Sequence, residues 1–211
     1  MSIGGWLFAA VYDRLTAGAE AAGLSKRREE LLAAARGRVL EIGAGTGANL
    51  AFYPAAVQSL TLAEPERPMV KRLARRVAGQ TRIASIVDAP AEQLPFPDAS
   101  FDTVVVTLVL CTVTDPARAL GEIRRVLAPG GRLLFLEHVR SDDPRIARWQ
   151  DRLNGLNQIV AHGCHCNRAT IDAIRAAGFT IVDVRRGEFP KAPPFVRPLV
   201  LGAATAPPAS N

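Results

Sequence analysis

The stretch from Val39 to Asn49 constrains this chain most. Val39-Leu40-Glu41-Ile42 reads as a short buried strand, and it runs straight into Gly43-Ala44-Gly45-Thr46-Gly47. Glycines at alternate positions supply backbone freedom and leave no Cβ, so a ligand can lie directly against the main chain. A helix opening after Gly47 offers N–H groups to a carboxylate or phosphate. The segment therefore predicts a nucleotide-like cofactor seated on bare backbone.

The rest of the chain alternates strand and helix, which predicts an α/β fold with a doubly wound, mostly parallel sheet covered on both faces. Residues 5 to 22 and 25 to 36 read as helices, with Ser25 as an N-cap. The helix after Gly47 is expected to run to Tyr53, where Pro54 stops it. Strands are expected at Val39 to Ile42, Leu60 to Ala63, Ile83 to Val87, Phe101 to Leu110, Arg132 to Glu137, Thr180 to Val184 and Val200 to Ala204. Helices are expected at Glu66 to Val77 (closed by Gly79), from Pro116 to near Leu127, over 143 to 161, and at Ala169 to Ala177. Asp115 before Pro116 is a strong helix start. The prolines and acids of Pro90 to Ser100 mark a loop.

At 211 residues the chain makes one domain, here divided into an N-terminal helical segment (1–36), a cofactor half (37–140), an acceptor half (141–205) and a frayed tail (206–211). No apolar run approaches the roughly 18 residues of a membrane span. Gly5 to Val11 is apolar but short, without preceding basic residues, so it reads as packing against the domain rather than as a signal peptide. The three cysteines, Cys111, Cys164 and Cys166, make no disulfide framework and suit a reducing cytoplasm. The net charge of +6 sits largely on helical surfaces such as Lys71, Arg72, Arg75 and Arg76. No basic tail or interleaved aromatic platform accompanies it, which argues against nucleic acid and leaves peripheral contact with anionic lipid open. His162, Cys164, His165 and Cys166 are too contiguous to wrap one ion, so no metal site is expected.

Gly43, Gly45 and Ala48 fit the G-x-G-x-x-G/A pattern of dinucleotide folds. Glu41 with Gly43, Gly45 and Gly47 also fits E-x-G-x-G-x-G, and in this the chain resembles the class I S-adenosylmethionine-dependent methyltransferases. The resemblance implies that S-adenosylmethionine is the cofactor, with its methionyl part cradled by Gly43, Ala44, Gly45 and Gly47. It also implies that Glu41 orients either the loop or the cofactor's amino group, and that a seventh strand is inserted antiparallel. Glu64, followed by Pro65, lies roughly 20 residues past the loop, where a carboxylate accepts from ribose hydroxyls in nicotinamide and methyl-donor enzymes alike. Asp88-Ala89 matches the family position that contacts adenine, and Thr107 and Leu108 match the main chain beside the methionyl end.

Thr107 to Val113, Arg125 to Gly131, Glu137-His138-Val139 and Gly163 to Arg168 are similar, more narrowly, to the small type 11 methyltransferases grouped with animal alkyl-thiol methyltransferases. Some bacterial relatives of these are labelled phospholipid methyltransferases. The implied acceptor is a small, apolar molecule: a thiol first, a phospholipid amine or a quinone-type phenol next. His138 and His165 are the candidate bases, since they are the nearby groups that titrate near neutrality, and Glu137 is a candidate for orienting the acceptor. The competing readings are a nicotinamide oxidoreductase, which lacks a Tyr-x-x-x-Lys pair here, and a non-catalytic cofactor-binding module. The oligomeric state is not legible in the sequence.

Overall fold

The computed structural model describes residues 16 to 208 apart from 79, 81 and 82. The first part of the expected N-terminal helix, the apolar Gly5 to Val11 stretch, the Gly79 stop and the last three tail residues therefore lie outside the described residues. From residue 16 the chain is helical and passes through a π-turn, Glu20–Leu24, whose Gly23 has φ +122°. The chain kinks at that glycine and then enters α1 (Ser25–Leu32), for which Leu24 stands at the N-cap. Ser25 is thus not an N-cap: its hydroxyl donates to the Glu20 carboxylate at 2.9 Å.

Seven strands form one sheet: β1 (Gly37–Ile42), β2 (Val57–Ala63), β3 (Ile83–Val87), β4 (Phe101–Thr107), β5 (Leu127–His138), β6 (Thr180–Glu188) and β7 (Pro198–Thr205). Their order is β3-β2-β1-β4-β5-β7-β6. β1 to β5 run parallel, whereas β7 lies antiparallel between β5 and β6. The other helices are α2 (Arg67–Val77), α3 (Pro116–Val126), α4 (Pro144–Val160) and α5 (Thr170–Ala176). Asp115 caps α3, accepting from the Arg118 amide, with Pro116 at the first turn.

The central strands are apolar along their length because both of their faces are covered. Leu40, Ile42, Val104, Val106, Leu133 and Phe135 pack on one face with Leu120 and Ile123 of α3 and Ile174 of α5. Val39, Val105, Leu134 and Leu136 pack on the other with Leu24, Leu31 and Leu32. The period-2 alternation therefore aims Glu41 at the α1 face, between apolar neighbours.

Two boundaries differ from expectation in ways that shape the site. No α-helix follows the glycine loop; a tight turn leads to a single 3-10 turn, Leu50–Phe52. Gly43, Gly45 and Gly47 all hold positive φ (64°, 56° and 88°), and Pro54 follows too soon for a helix to propagate. β4 stops at Thr107 rather than Leu110, because Leu108 turns left-handed with φ 61° and the next three amides leave the ladder.

Candidate active site

Strands β1, β2, β4 and β5 deliver their ends to one edge of the sheet, where a cavity of 630 Å³ opens. Its wall includes Ile42, Gly43 and Gly45 from the loop, Glu64, Pro65, Glu66 and Met69 beyond β2, and Pro90, Ala91 and Glu92 beyond β3. Thr107 and Leu108 line it as well, and its apolar lobe comprises Val109, Val113, Val160, Phe189 and Val196, with Cys111, Cys164 and His138 also on the wall.

The loop is bare where a ligand needs it to be. A Cβ built on Gly45 meets nothing within 4 Å, so the main chain there faces the open cavity. Gly43 differs, since a Cβ would come within 2.5 Å of Val109 Cγ2. Gly47 packs against Leu50 and Leu73 instead, and Ala44 is buried, so neither reaches the cavity wall. Glu64 braces the loop from across the sheet: its carboxylate accepts from the Gly45 amide at 2.8 Å and from the Glu66 amide at 2.9 Å. Burial raises its pKa, and those two amides work against the rise. The amide of Gly47 is spent on the Ala44 carbonyl at 2.8 Å. The helix-terminus anion site expected after Gly47 is therefore absent, and bare backbone beside a carboxylate takes its place.

The surroundings of Glu41 bear on the two roles expected for it. It is 1% exposed and lies behind the loop rather than on the cavity wall. Its oxygens accept from Asn49 Nδ2 at 2.9 Å and from the Tyr53 hydroxyl at 2.7 Å. Asn49 in turn accepts from Arg28 Nη1 at 2.9 Å, Arg28 also donates to Thr107 Oγ1 at 3.1 Å, and Arg28 Nε pairs with Glu20 at 3.0 Å. Burial pushes Glu41 up to about 7, against its two hydrogen bonds and the nearby Arg28 charge. Of the two roles expected for Glu41, this geometry supports orienting the loop. Asn49, Tyr53 and Arg28 were not foreseen; the sequence signal for Arg28 was an arginine on the apolar face of α1.

Other expected residues also move. Asp88 is about half exposed, pairs with Arg67 at 3.7 Å and is outside the cavity wall, as is buried Ala89. The chain swings inward only two residues later, at Pro90. Glu137 does not face an acceptor. Fully buried, it accepts from the amides of Val109 and Leu110 (2.9 and 3.0 Å) and of Cys111 (3.1 Å). It thereby fixes the left-handed exit from β4, while burial pushes it up to about 7. His165 does not reach the cavity wall; its Nδ1 meets Asn154 Nδ2 at 3.2 Å. Arg168 straps the same loop through the carbonyls of Leu110 and Val113.

His138 does line the cavity. Burial drives its pKa down to about 4, so the ring is neutral near physiological pH. The carbonyls of Val196 and Pro198 lie beside it, and a ring that donates to them leaves the other nitrogen as an acceptor. Nδ1 is buried without a hydrogen-bond partner. Close by, the Cys111 and Cys164 thiols are hydrogen-bonded to each other, which raises the pKa of Cys111 and lowers that of Cys164. His162 and Glu66 are hydrogen-bonded at the cavity mouth. Among the described residues no group of three or more His, Cys, Asp and Glu side chains is placed to hold a metal ion.

Comparison with known proteins decides the family. Residues 40–135 match a methyltransferase domain. The chain is 36% identical over 174 residues to thiol S-methyltransferase TMT1B of Rattus norvegicus, covering 79% of this chain and 69% of that one. The chain is a class I S-adenosylmethionine-dependent methyltransferase. To the ubiquinone/menaquinone biosynthesis C-methyltransferase UbiE of Proteus mirabilis this methyltransferase is 43% identical over 148 residues, covering 65% of this chain and 59% of that one. A solved SAM-dependent methyltransferase from Thermotoga maritima superposes with a TM-score of 0.70 at 24% identity, covering 95% and 97% of the two chains. The [4+2]-cyclase SpnF superposes equally well, with a TM-score of 0.70 at 22% identity over 88% of this chain and 80% of that one. Likeness of fold alone therefore does not dictate methyl transfer. The cofactor is S-adenosylmethionine, and the bare wall at Gly45 with the Glu64 carboxylate beside it suits a nucleoside lying flat on backbone.

Proposed function

We propose that this methyltransferase transfers its methyl group to the sulfur of a small apolar thiol. The observation that carries the reading is the acceptor side of the cavity, whose wall is formed by Val109, Val113, Val160, Phe189 and Val196 together with the neutral ring of His138. A cationic or highly polar acceptor would lose its hydration there with little return, whereas an alkyl thiol gains apolar burial. The similarity to thiol S-methyltransferase TMT1B supports the same choice.

The proposed donor site comprises Gly43, Gly45, Glu64, Pro65, Thr107 and Leu108, with Glu64 accepting from the ribose hydroxyls. When bound there, S-adenosylmethionine supplies an electrophilic methyl group on a sulfonium. The chain's own part is to hold an acceptor sulfur in line within the apolar lobe and to exclude water. The thiolate, not the thiol, is the nucleophile, so the acceptor must ionise before transfer. His138, with its lowered pKa and buried Nδ1, serves as a neutral part of the wall rather than as a base, and the thiol loses its proton to water before the thiolate is held in line. Ionisation then follows the thiol's own pKa. His165, held by Asn154 away from the cavity, has no part in this step.

The whole chain is assigned as one methyltransferase domain acting in the cytoplasm on free small molecules rather than on nucleic acid, with three buried cysteines that remain thiols in a reducing compartment. The similarity to UbiE favours a second reading, methylation of a quinone-type phenol ring. The deciding experiment incubates the protein with isotope-labelled S-adenosylmethionine and a panel of alkyl thiols, phenols and phospholipids, read by mass spectrometry. Label in thioethers is expected. Label confined to phenols or lipid head groups overturns the thiol assignment.

A further inference from the structure

Four of the large apolar side chains exposed among the described residues lie on α4: Trp149 (55% exposed), Leu156 (60%), Ile159 (82%) and Val160 (72%). They are not scattered around the helix. At 100° per residue Trp149, Leu156, Ile159 and Val160 fall within one arc, opposite the face that buries Ala147, Gln150 and Asn157. Arg145, Arg148 and Arg152 fall in the same outward arc and are exposed. The helix is thus divided along its length: cations and a tryptophan toward its N-terminal half, aliphatics at its C-terminal end. Arg152 sits 6.0 Å from the centre of the Trp149 ring. The one acid on this helix, Asp151, lies to the side and is engaged by Arg140 and Asn167.

The aliphatic end is also the mouth of the active site. Val160, Ala161 and His162 line the cavity, so the chain that carries the exposed stripe is the same chain that bounds the acceptor lobe.

We infer that the outward face of α4 is a docking surface for an anionic lipid bilayer, seating Trp149, Leu156, Ile159 and Val160 in the interface so that the acceptor cavity opens onto the lipid. Charge complementarity selects this occupant. Three arginines beside an apolar arc suit phosphate head groups over acyl chains, and tryptophan is favoured at that depth. A second copy of the chain would bring like charges together, and the overall charge of +6 disfavours it further. Association is peripheral: no described helix is long and apolar enough to cross a membrane. The choice of an apolar acceptor rests on the thiol reading above, since a molecule dissolved in the bilayer could then enter laterally; the docking itself does not depend on that reading.

The experiment uses full-length protein and vesicles of phosphatidylcholine, with or without 30 mol% phosphatidylglycerol, at low and high salt. Trp6→Phe leaves Trp149 as the one tryptophan, so quenching of its selectively excited emission by brominated acyl chains reports the depth of α4. Binding to the anionic vesicles is expected, weakened by salt, with Trp149 quenched. Leu156→Glu with Ile159→Glu should weaken vesicle binding at least tenfold, and Arg148→Glu with Arg152→Glu should erase the preference for anionic lipid. Affinity for S-adenosylmethionine in solution should stay within twofold for both variants, which separates failure of docking from failure of the enzyme. The inference is overturned if vesicles do not bind. It is also overturned if the glutamate variants bind as well as the parent while deletion of residues 1 to 15 abolishes binding, or if the stripe instead drives concentration-dependent self-association that Ile159→Glu abolishes.

Discussion

Replacing Gly45 with alanine separates the ligand's demand on the loop from the fold's. In the folded chain a Cβ at this position meets no atom within 4 Å, so no packing is disturbed. The remaining structural cost is holding alanine at φ +56°, about 1–2 kcal/mol. For a domain of this size each kcal/mol lowers Tm by about 2–4 °C, so the melting point should fall by about 2–8 °C and the far-UV spectrum should not change. Binding is weakened separately, because the new methyl occupies the surface on which the ligand lies. Titration calorimetry with S-adenosylmethionine should show at least a tenfold loss of affinity, about 1.4 kcal/mol. Gly121, within α3, also has nothing within 4 Å of a built Cβ; Gly121→Ala is the matched control and should leave affinity unchanged. Gly43→Ala must in addition displace Val109, so it should melt lower than Gly45→Ala. If Gly45→Ala binds the cofactor within twofold of the parent, the ligand does not rest on this segment and the site is misplaced.

Glu64→Gln should weaken S-adenosylmethionine at least tenfold by calorimetry while moving Tm by no more than about 2 °C; an unchanged Kd would remove Glu64 from the ribose. Arg28→Met leaves Glu20 and Asn49 without their cationic partner inside the network behind the loop, and breaking a buried pair of this kind costs about 3–5 kcal/mol. A drop in chemical-denaturation stability of under 1 kcal/mol would show that the network is dispensable. His138 has a folded pKa of about 4 against about 6.5 in an unfolded chain. Its stability contribution is therefore complete above pH 6.5 and is lost as pH falls toward 4. His138→Gln should flatten the pH dependence of Tm in that window, and a variant with the parent's slope would contradict the buried neutral ring. The same lowered pKa predicts that thiol methylation rises with pH toward the thiol's own ionisation, with no inflection near 6.5.

The fold was largely legible because strand and helix announce themselves by period and by punctuation. The continuous apolar run at Val104 to Val106 marked a strand covered on both faces, and Asp115-Pro116 marked a helix start that the structure places as expected. What the sequence could not show was how the ends of the strands are fixed. Leu108 turns left-handed although nothing in its side chain asks for it. The cause is Glu137, 26 to 28 positions beyond the three consecutive amides it collects, and such a contact leaves no local trace. For the same reason Glu137 looked like an acceptor-facing acid when it is spent on backbone amides, and the choice between the two roles of Glu41 waited on its partners, the side chains of Asn49 and Tyr53. Asp88 stood at the right strand end, but alignment with a family position does not say which way a side chain turns, and this one turns to Arg67. Of the two histidines chosen for their titration range, one faces the cavity and the other does not, a distinction that rests on burial and not on composition.

The central claim is that the donor lies along Gly43 to Gly45 with its ribose on Glu64 and its reactive end toward the lobe containing His138. A crystal structure of the protein with S-adenosylhomocysteine tests this most directly. The ribose hydroxyls are predicted within hydrogen-bond distance of the Glu64 carboxylate, and the sulfur is predicted to face Leu108 and the apolar lobe. Density for the nucleoside elsewhere, or with its sulfur turned away from that lobe, would contradict the account.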